Sequence, residues 1–149
     1  MSIRMNPAQF AAHCRKAAAR VTVNVIAAES VTLQEADKAA LLLSSGPHST
    51  AQLRAAGHPY SRRAPDPSYD AAVINVQSGE FKDAWESAGP TVTGAGVVSK
   101  LSNGSKVAGL LDKGTSKMIA RPVAEAIVER VQPGRAERLN EAVRSALKP

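Results

Sequence analysis

Aromatic side chains are nearly missing from this sequence: one Trp, two Tyr and two Phe, or 3% of 149 residues. Proteins that read single-stranded nucleic acid stack bases on aromatic platforms, and so thin a supply argues against that mode. A single cysteine, Cys14, excludes an internal disulfide and suits a reducing compartment. Its place in an alanine-rich helical pattern predicts a small buried residue. The three histidines, His13, His48 and His58, stand far apart, and no pair has the spacing of metal ligands. The longest apolar stretch, 21–28, is interrupted by Thr22 and Asn24 and is far shorter than the roughly 20 residues that span a bilayer. No secretory leader is expected in Met1-Ser2-Ile3-Arg4-Met5-Asn6-Pro7, which lacks an apolar run followed by a cleavage site.

Catalytic patterns are equally scarce. Gly109 to Ser116 has the glycine spacing of a phosphate-binding loop, but Thr115 follows Gly114 where the loop needs a lysine for the β- and γ-phosphates. Gly94-Ala95-Gly96 lacks the third glycine and the βαβ setting of a dinucleotide fingerprint. No nucleophile elbow is present. Asp66, Asp70, Glu80 and Asp83 read as surface charge. The expectation is a protein without catalysis, cofactor or metal.

What is present is enough apolar material for one domain spanning 1–149: 44% hydrophobic and 21% charged residues. The net charge of +6 is uneven. The first fifty residues hold five basic and three acidic groups, the next fifty hold five of each, and 101–149 hold nine basic and five acidic. A basic surface attracts DNA, RNA or an acidic protein face. Arg130, Arg135, Arg138 and Arg144 cluster in a segment onto which a helix-turn-helix can be forced, with Pro133-Gly134 as an awkward turn.

The pattern predicts an α+β fold: a helical region over about 7–45, a loop over 46–70, a sheet region over 71–116 and helices over 120–147. Asn6-Pro7 has the residues of a helix start. Phe10, Cys14, Ala17, Val21, Val25 and Ala28 then share one helical face, and Leu33, Ala36, Ala40 and Leu43 continue it. Thr32-Leu33-Gln34-Glu35 reads as a capping box, so either one helix bends near residue 30 or two helices meet there. Ser44-Ser45-Gly46-Pro47 ends the run. Three prolines break up 58–67, which also holds the adjacent Arg62 and Arg63. Gly89-Pro90 reads as a turn, and 91–101 as a strand whose glycines suggest a bulge. Asn103-Gly104 is the strongest hairpin-turn signal, with 106–111 as the returning strand. Arg121-Pro122 opens a closing helix that Pro133-Gly134 divides in two.

Two segments carry a resemblance. Ile74-Asn75-Val76-Gln77-Ser78-Gly79-Glu80-Phe81, leading to Trp85, is followed by a glycine-bearing hairpin. Asp112-Lys113-Gly114-Thr115-Ser116-Lys117-Met118-Ile119-Ala120-Arg121-Pro122 then leads into the last helix. In this order, after a long alanine-rich helix and a proline-rich loop, they resemble the tail-completion and neck proteins of long-tailed bacteriophages. The stretch 53–60, with Gly57-His58-Pro59-Tyr60, is also similar to segments of that family. The chain departs from the family pattern at Asp112, where Glu is usual, at Val123, where an aromatic often stands, and at Leu110-Leu111, where an aromatic and Ala are common.

The resemblance implies a small antiparallel sheet packed by a long N-terminal helix and a C-terminal helix. It implies a virion part assembled in the host cytoplasm: a homo-oligomeric ring, a hexamer by expectation, at the junction of head and tail. Its partners would be the connector or head-closure protein and the tail-terminator or tail-tube protein. DNA would pass through the ring, with non-specific contact open and no membrane involved. A small basic DNA- or RNA-binding protein is the alternative. The expected interface and turn residues are Asp112, Gly114, Thr115, Arg121, Pro122, Arg62 and Arg63. Gly114 would take a positive φ, Asp112 and Thr115 would bond the turn backbone, and Arg121 would hold Asp112 or an acidic patch across a subunit boundary.

Overall fold

A computed structural model describes residues 6–48, 52, 73–74, 79–116 and 120–148. Helix α1 (Pro7–Leu43) is followed by a short helix α2 (Glu80–Asp83) and two strands, β1 (Trp85–Thr93) and β2 (Gly96–Asn103). A short helix α3 (Ala108–Lys113) and a long helix α4 (Val123–Leu147) complete the order. The two strands pair antiparallel, which makes the fold α+β. The loop expectation over 46–70, including Arg62 and Arg63, lies almost wholly outside the described residues.

Helix α1 starts where the sequence signals it. The Asn6 side chain accepts from the Gln9 amide at 2.9 Å, and the Gln9 side chain accepts from the Asn6 amide at 3.3 Å. Pro7 occupies the first turn, where a missing N–H costs nothing. The helix then runs unbroken for about 55 Å. Thr32 caps nothing. It is buried in mid-helix, its hydroxyl donates to the Ala28 carbonyl at 3.0 Å, and it accepts from Arg138 Nη2 at 3.1 Å. A cap needs non-helical backbone at that residue, and the tertiary bond holds Thr32 helical instead.

Helix α4 lies antiparallel to α1. Asn24 Nδ2 donates to the Ala142 carbonyl (3.2 Å) and to Ser145 Oγ (3.1 Å), while Val123 and Ile127 join Ala36, Ala39, Ala40 and Leu43 in the core at the other end. The expected break at Pro133-Gly134 does not occur, and α4 is continuous through both residues. Proline forfeits one backbone bond there, but ion pairs to α1 anchor the helix just beyond it. Arg135 meets Glu29 at 2.8 Å and Arg138 meets Glu35 at 2.7 Å. A Cβ on Gly134 would lie 3.0 Å from Arg138 Nη1, so its bare backbone leaves room for that guanidinium. A continuous helix removes the helix-turn-helix option.

The sheet is smaller than expected and turns elsewhere. The hairpin reverses at Gly94-Ala95, with Thr93 opposite Gly96 and Gly96 at φ +132. Thr93 Oγ1 donates to the Gly96 carbonyl and accepts from the Ala95 amide. Asn103 ends β2 rather than turning it: Nδ2 donates to the Phe81 carbonyl at 2.7 Å and Oδ1 accepts from the Ser105 amide at 3.0 Å. The side chain that tolerates a tight turn is spent as a latch, and 108–113 forms α3 rather than a returning strand. Gly89-Pro90 sits within β1 at a register irregularity between Ala88 and Thr91. A bulge there removes the need for the N–H that proline lacks.

The core is compact and lies at one end of the helical pair. Val73, Phe81, Trp85, Leu101, Leu111, Ala126 and Val131 pack around the buried residues. Trp85 meets Phe81 edge to face at 5.7 Å and donates from Nε1 to Ser44 Oγ at 2.9 Å, closing α1 against the hairpin. The expected apolar stripe therefore divides. Ala28, Ala36, Ala40 and Leu43 are buried, whereas Phe10 is 59% exposed and Cys14 is exposed. Cys14 precedes the first tertiary hydrogen bond of α1, which Arg20 makes, so nothing covers it among the described residues.

Candidate docking corner

The segment after α3 is built from two tight backbone features. Gly114 ends the helix at φ 71, the positive value expected of it and one that only glycine adopts freely. Pro122 sits at φ −76, ψ 63, and the Val123 amide donates to the Arg121 carbonyl at 2.8 Å. This is an inverse γ-turn, and the proline ring holds the φ it requires. Together they reverse the chain and aim it into α4.

Arg121 is the pivot, and its place corrects the expectation of a subunit-boundary partner. It is 4% exposed. Its Nη1 donates to the Val73 carbonyl at 2.7 Å, and its amide donates to the Leu111 carbonyl at 2.7 Å. The Ile74 amide in turn donates to the Leu43 carbonyl (2.6 Å), and the Gly46 amide to the Ile74 carbonyl (3.0 Å). The guanidinium thus ties the start of α4 to Val73, and main-chain bonds link Arg121 to α3 and residue 74 to the end of α1. A buried cation is costly unless its donors are used, and the Val73 carbonyl supplies part of that satisfaction.

Asp112 does not bond the turn backbone. It is exposed and makes no hydrogen bond or ion pair among the described residues. Thr115 is exposed and Pro122 is half-buried. The corner therefore has a buried frame (Arg121, Val123) and an outward rim of Leu110, Asp112, Lys113, Thr115, Ser116 and Ala120, all exposed. Leu110 is a large apolar side chain left in solvent.

Sequence reasoning missed the polar seam between the long helices. Glu29, Glu35, Arg135 and Arg138 form it, and Glu29 is buried. The available signal was Glu29 itself, a charge one residue from Ala28 in the apolar stripe, which had to find a partner. An open cleft of about 310 Å³ lies between this seam and β2, lined by Leu33, Ala36, Val97 and Ser99 among others. Its carboxylate, Glu29, is held by Arg135 at 2.8 Å. Two of the four arginines in the C-terminal cluster are thus committed to α1.

No group of three or more His, Cys, Asp or Glu side chains could hold a metal ion among the described residues. No helix among them is long and apolar enough to cross a membrane. No known family matches the chain, and no significant match was found among curated proteins or solved structures.

Proposed function

We propose that this chain is a virion structural protein of the head–tail junction of a long-tailed phage. Identical copies form a ring around the DNA channel, completing the tail and joining it to the head. One observation carries the reading. The two segments that resemble tail-completion proteins, 74–81 and 111–123, lie far apart in sequence, yet described residues of both meet in one hub. Ile74 is bonded to the end of α1, Arg121 holds the Val73 carbonyl, and Phe81, Leu111 and Val123 share the same core. Residues kept together by a resemblance are here kept together by packing.

The surface supports an assembly part. Among the described residues the two-stranded sheet leaves an unpaired edge on each strand, an opening for pairing with another chain. Leu41, Leu42, Val92, Val98 and Leu110 are large apolar side chains in solvent. Heterologous contacts between such surfaces close into rings when the rotation permits. Function then consists of presenting the corner rim to the neighbouring rings, with no bond made or broken.

Deleting the gene tests this directly. Filled heads and unattached tails should accumulate, and normal virions would refute the proposal. Purified protein or disassembled virions should yield a particle of several times the 15.6 kDa chain mass, with six copies the expectation.

A further inference from the structure

We infer that the N-terminal third of α1 is a non-specific contact for the phosphate backbone of duplex DNA. Among the described residues the charge is strongly polarised. At the end formed by 6–24 of α1 and 139–148 of α4 lie Arg15, Lys16, Arg20, Arg144 and Lys148, with Glu141 the lone carboxylate among those residues. The remaining described residues carry slightly more acidic than basic groups. The C-terminal arginines singled out by sequence are half spent on ion pairs, so the available positive field sits here instead.

The shape of this end fits the same ligand. The first tertiary bond along α1 is from Arg20 Nη1 to the Lys148 carbonyl, at 3.5 Å. Helix α4 ends at Leu147, so residues 7–19 extend about 20 Å beyond it. All of them except Ala11 and Ala17 are exposed, and no hydrogen bond or ion pair joins them to another element among the described residues. Six alanines keep this segment slim. A single helix about 10–12 Å across enters a major groove about 12 Å wide. At 3.6 residues per turn, Arg15 and Arg20 project about 140° apart, with Lys16 beside Arg20. Exposed Arg15 and Lys16 can thus reach phosphates across the groove, and half-buried Arg20 adds a third by giving up its 3.5 Å bond to the Lys148 carbonyl. An acidic protein face would engage only one side of such a helix. The first turn carries no carboxylate, so the positive helix end adds to the same field.

The inference takes from the neck reading only where the DNA comes from, and the binding is testable without it. Purified full-length protein is titrated into a fluorescent, random-sequence duplex and followed by anisotropy. Neutralising three phosphates per copy predicts an affinity loss of about 40-fold between about 50 and about 200 mM salt. Arg15 and Lys16 make no hydrogen bond or ion pair among the described residues, so R15E/K16E should keep the wild-type circular dichroism and thermal transition. It should bind at least about tenfold more weakly, with the salt slope shallower by about 2. K100E/K106E changes net charge equally on the hairpin side and should shift affinity less than about threefold. Equal losses in both variants, or no salt-dependent binding by the wild type, would overturn the inference. So would tighter binding of polyaspartate than of duplex at matched charge, which would assign the segment to an acidic protein. Should R15E/K16E unfold, R15Q/K16Q serves, since it removes the same two cations and should also make the slope shallower by about 2. A negative result here leaves the deletion phenotype untouched, so the two readings fail separately.

Discussion

The two ends of α1 are alike in composition and opposite in circumstance. Both are alanine-rich, and both place their larger apolar residues at helical spacing. At the C-terminal end Leu43 is 1% exposed and Ala40 fully buried, packed against Val123, Ile127 and Ile74. At the N-terminal end Phe10 stands in solvent, and the helix is held by its Asn6–Gln9 cap and its own backbone. Amphipathic spacing states which side a helix can bury. It does not state where along its length a neighbour will lie. The neighbours here are α4 and the hairpin, and neither reaches past about residue 20.

The contrast can be broken by substitution. Leu43→Ala removes a fully packed side chain at the hub and should destabilise the fold by about 2–5 kcal/mol, read from the denaturation midpoint. A cost below about 1 kcal/mol would mean that the hub is not the core. Arg121→Met keeps much of the volume but abandons the Val73 carbonyl, with an expected loss of about 1–3 kcal/mol. Arg121→Lys should recover little of it, because an ammonium cannot reproduce the planar fork.

The seam should respond more weakly. Glu29→Ala is expected to cost about 1 kcal/mol, since Arg135 is itself 39% exposed and regains water once unpaired. A double-mutant cycle with Arg135→Ala should return most of that as coupling energy, and additivity would show the pair to be incidental. Phe10→Ala should change stability by less than about 0.5 kcal/mol. A larger loss at micromolar protein concentration that vanishes on dilution would place Phe10 in an interface between copies.

Much of the scaffold was legible because its signals are local. The Asn6-Pro7 start, the Ser44–Pro47 stop, the positive φ at Gly114 and the inward faces of α1 and α4 near the hub depend on residues within about one turn of each other. The errors share the opposite property. Thr32 and Glu35 have the residues of a cap, but Arg138 claims both side chains from over one hundred positions away. Asn103-Gly104 has the chemistry of a hairpin turn, but Asn103 is drawn to the Phe81 carbonyl. Pro133-Gly134 has the chemistry of a break, but the helix runs through it and two ion pairs just beyond it anchor α4 to α1. At the corner, Gly114 was readable from its neighbours. Arg121 was not, because its partner, the Val73 carbonyl, is a backbone atom 48 positions away and leaves no mark in a side-chain pattern.

By itself the sequence determined the two terminal helical regions, the one-sided small-residue faces that let them approach, the α+β class and the excess of positive charge. Only the tertiary structure decided which stretch of α1 is covered, where the hairpin turns, that the last helix is single and that Arg121 is an internal strut. The physical reason is range. Caps, turns and helical faces are set by atoms a few residues apart, whereas burial, strand register and the partner of a buried charge depend on which distant element comes to lie opposite.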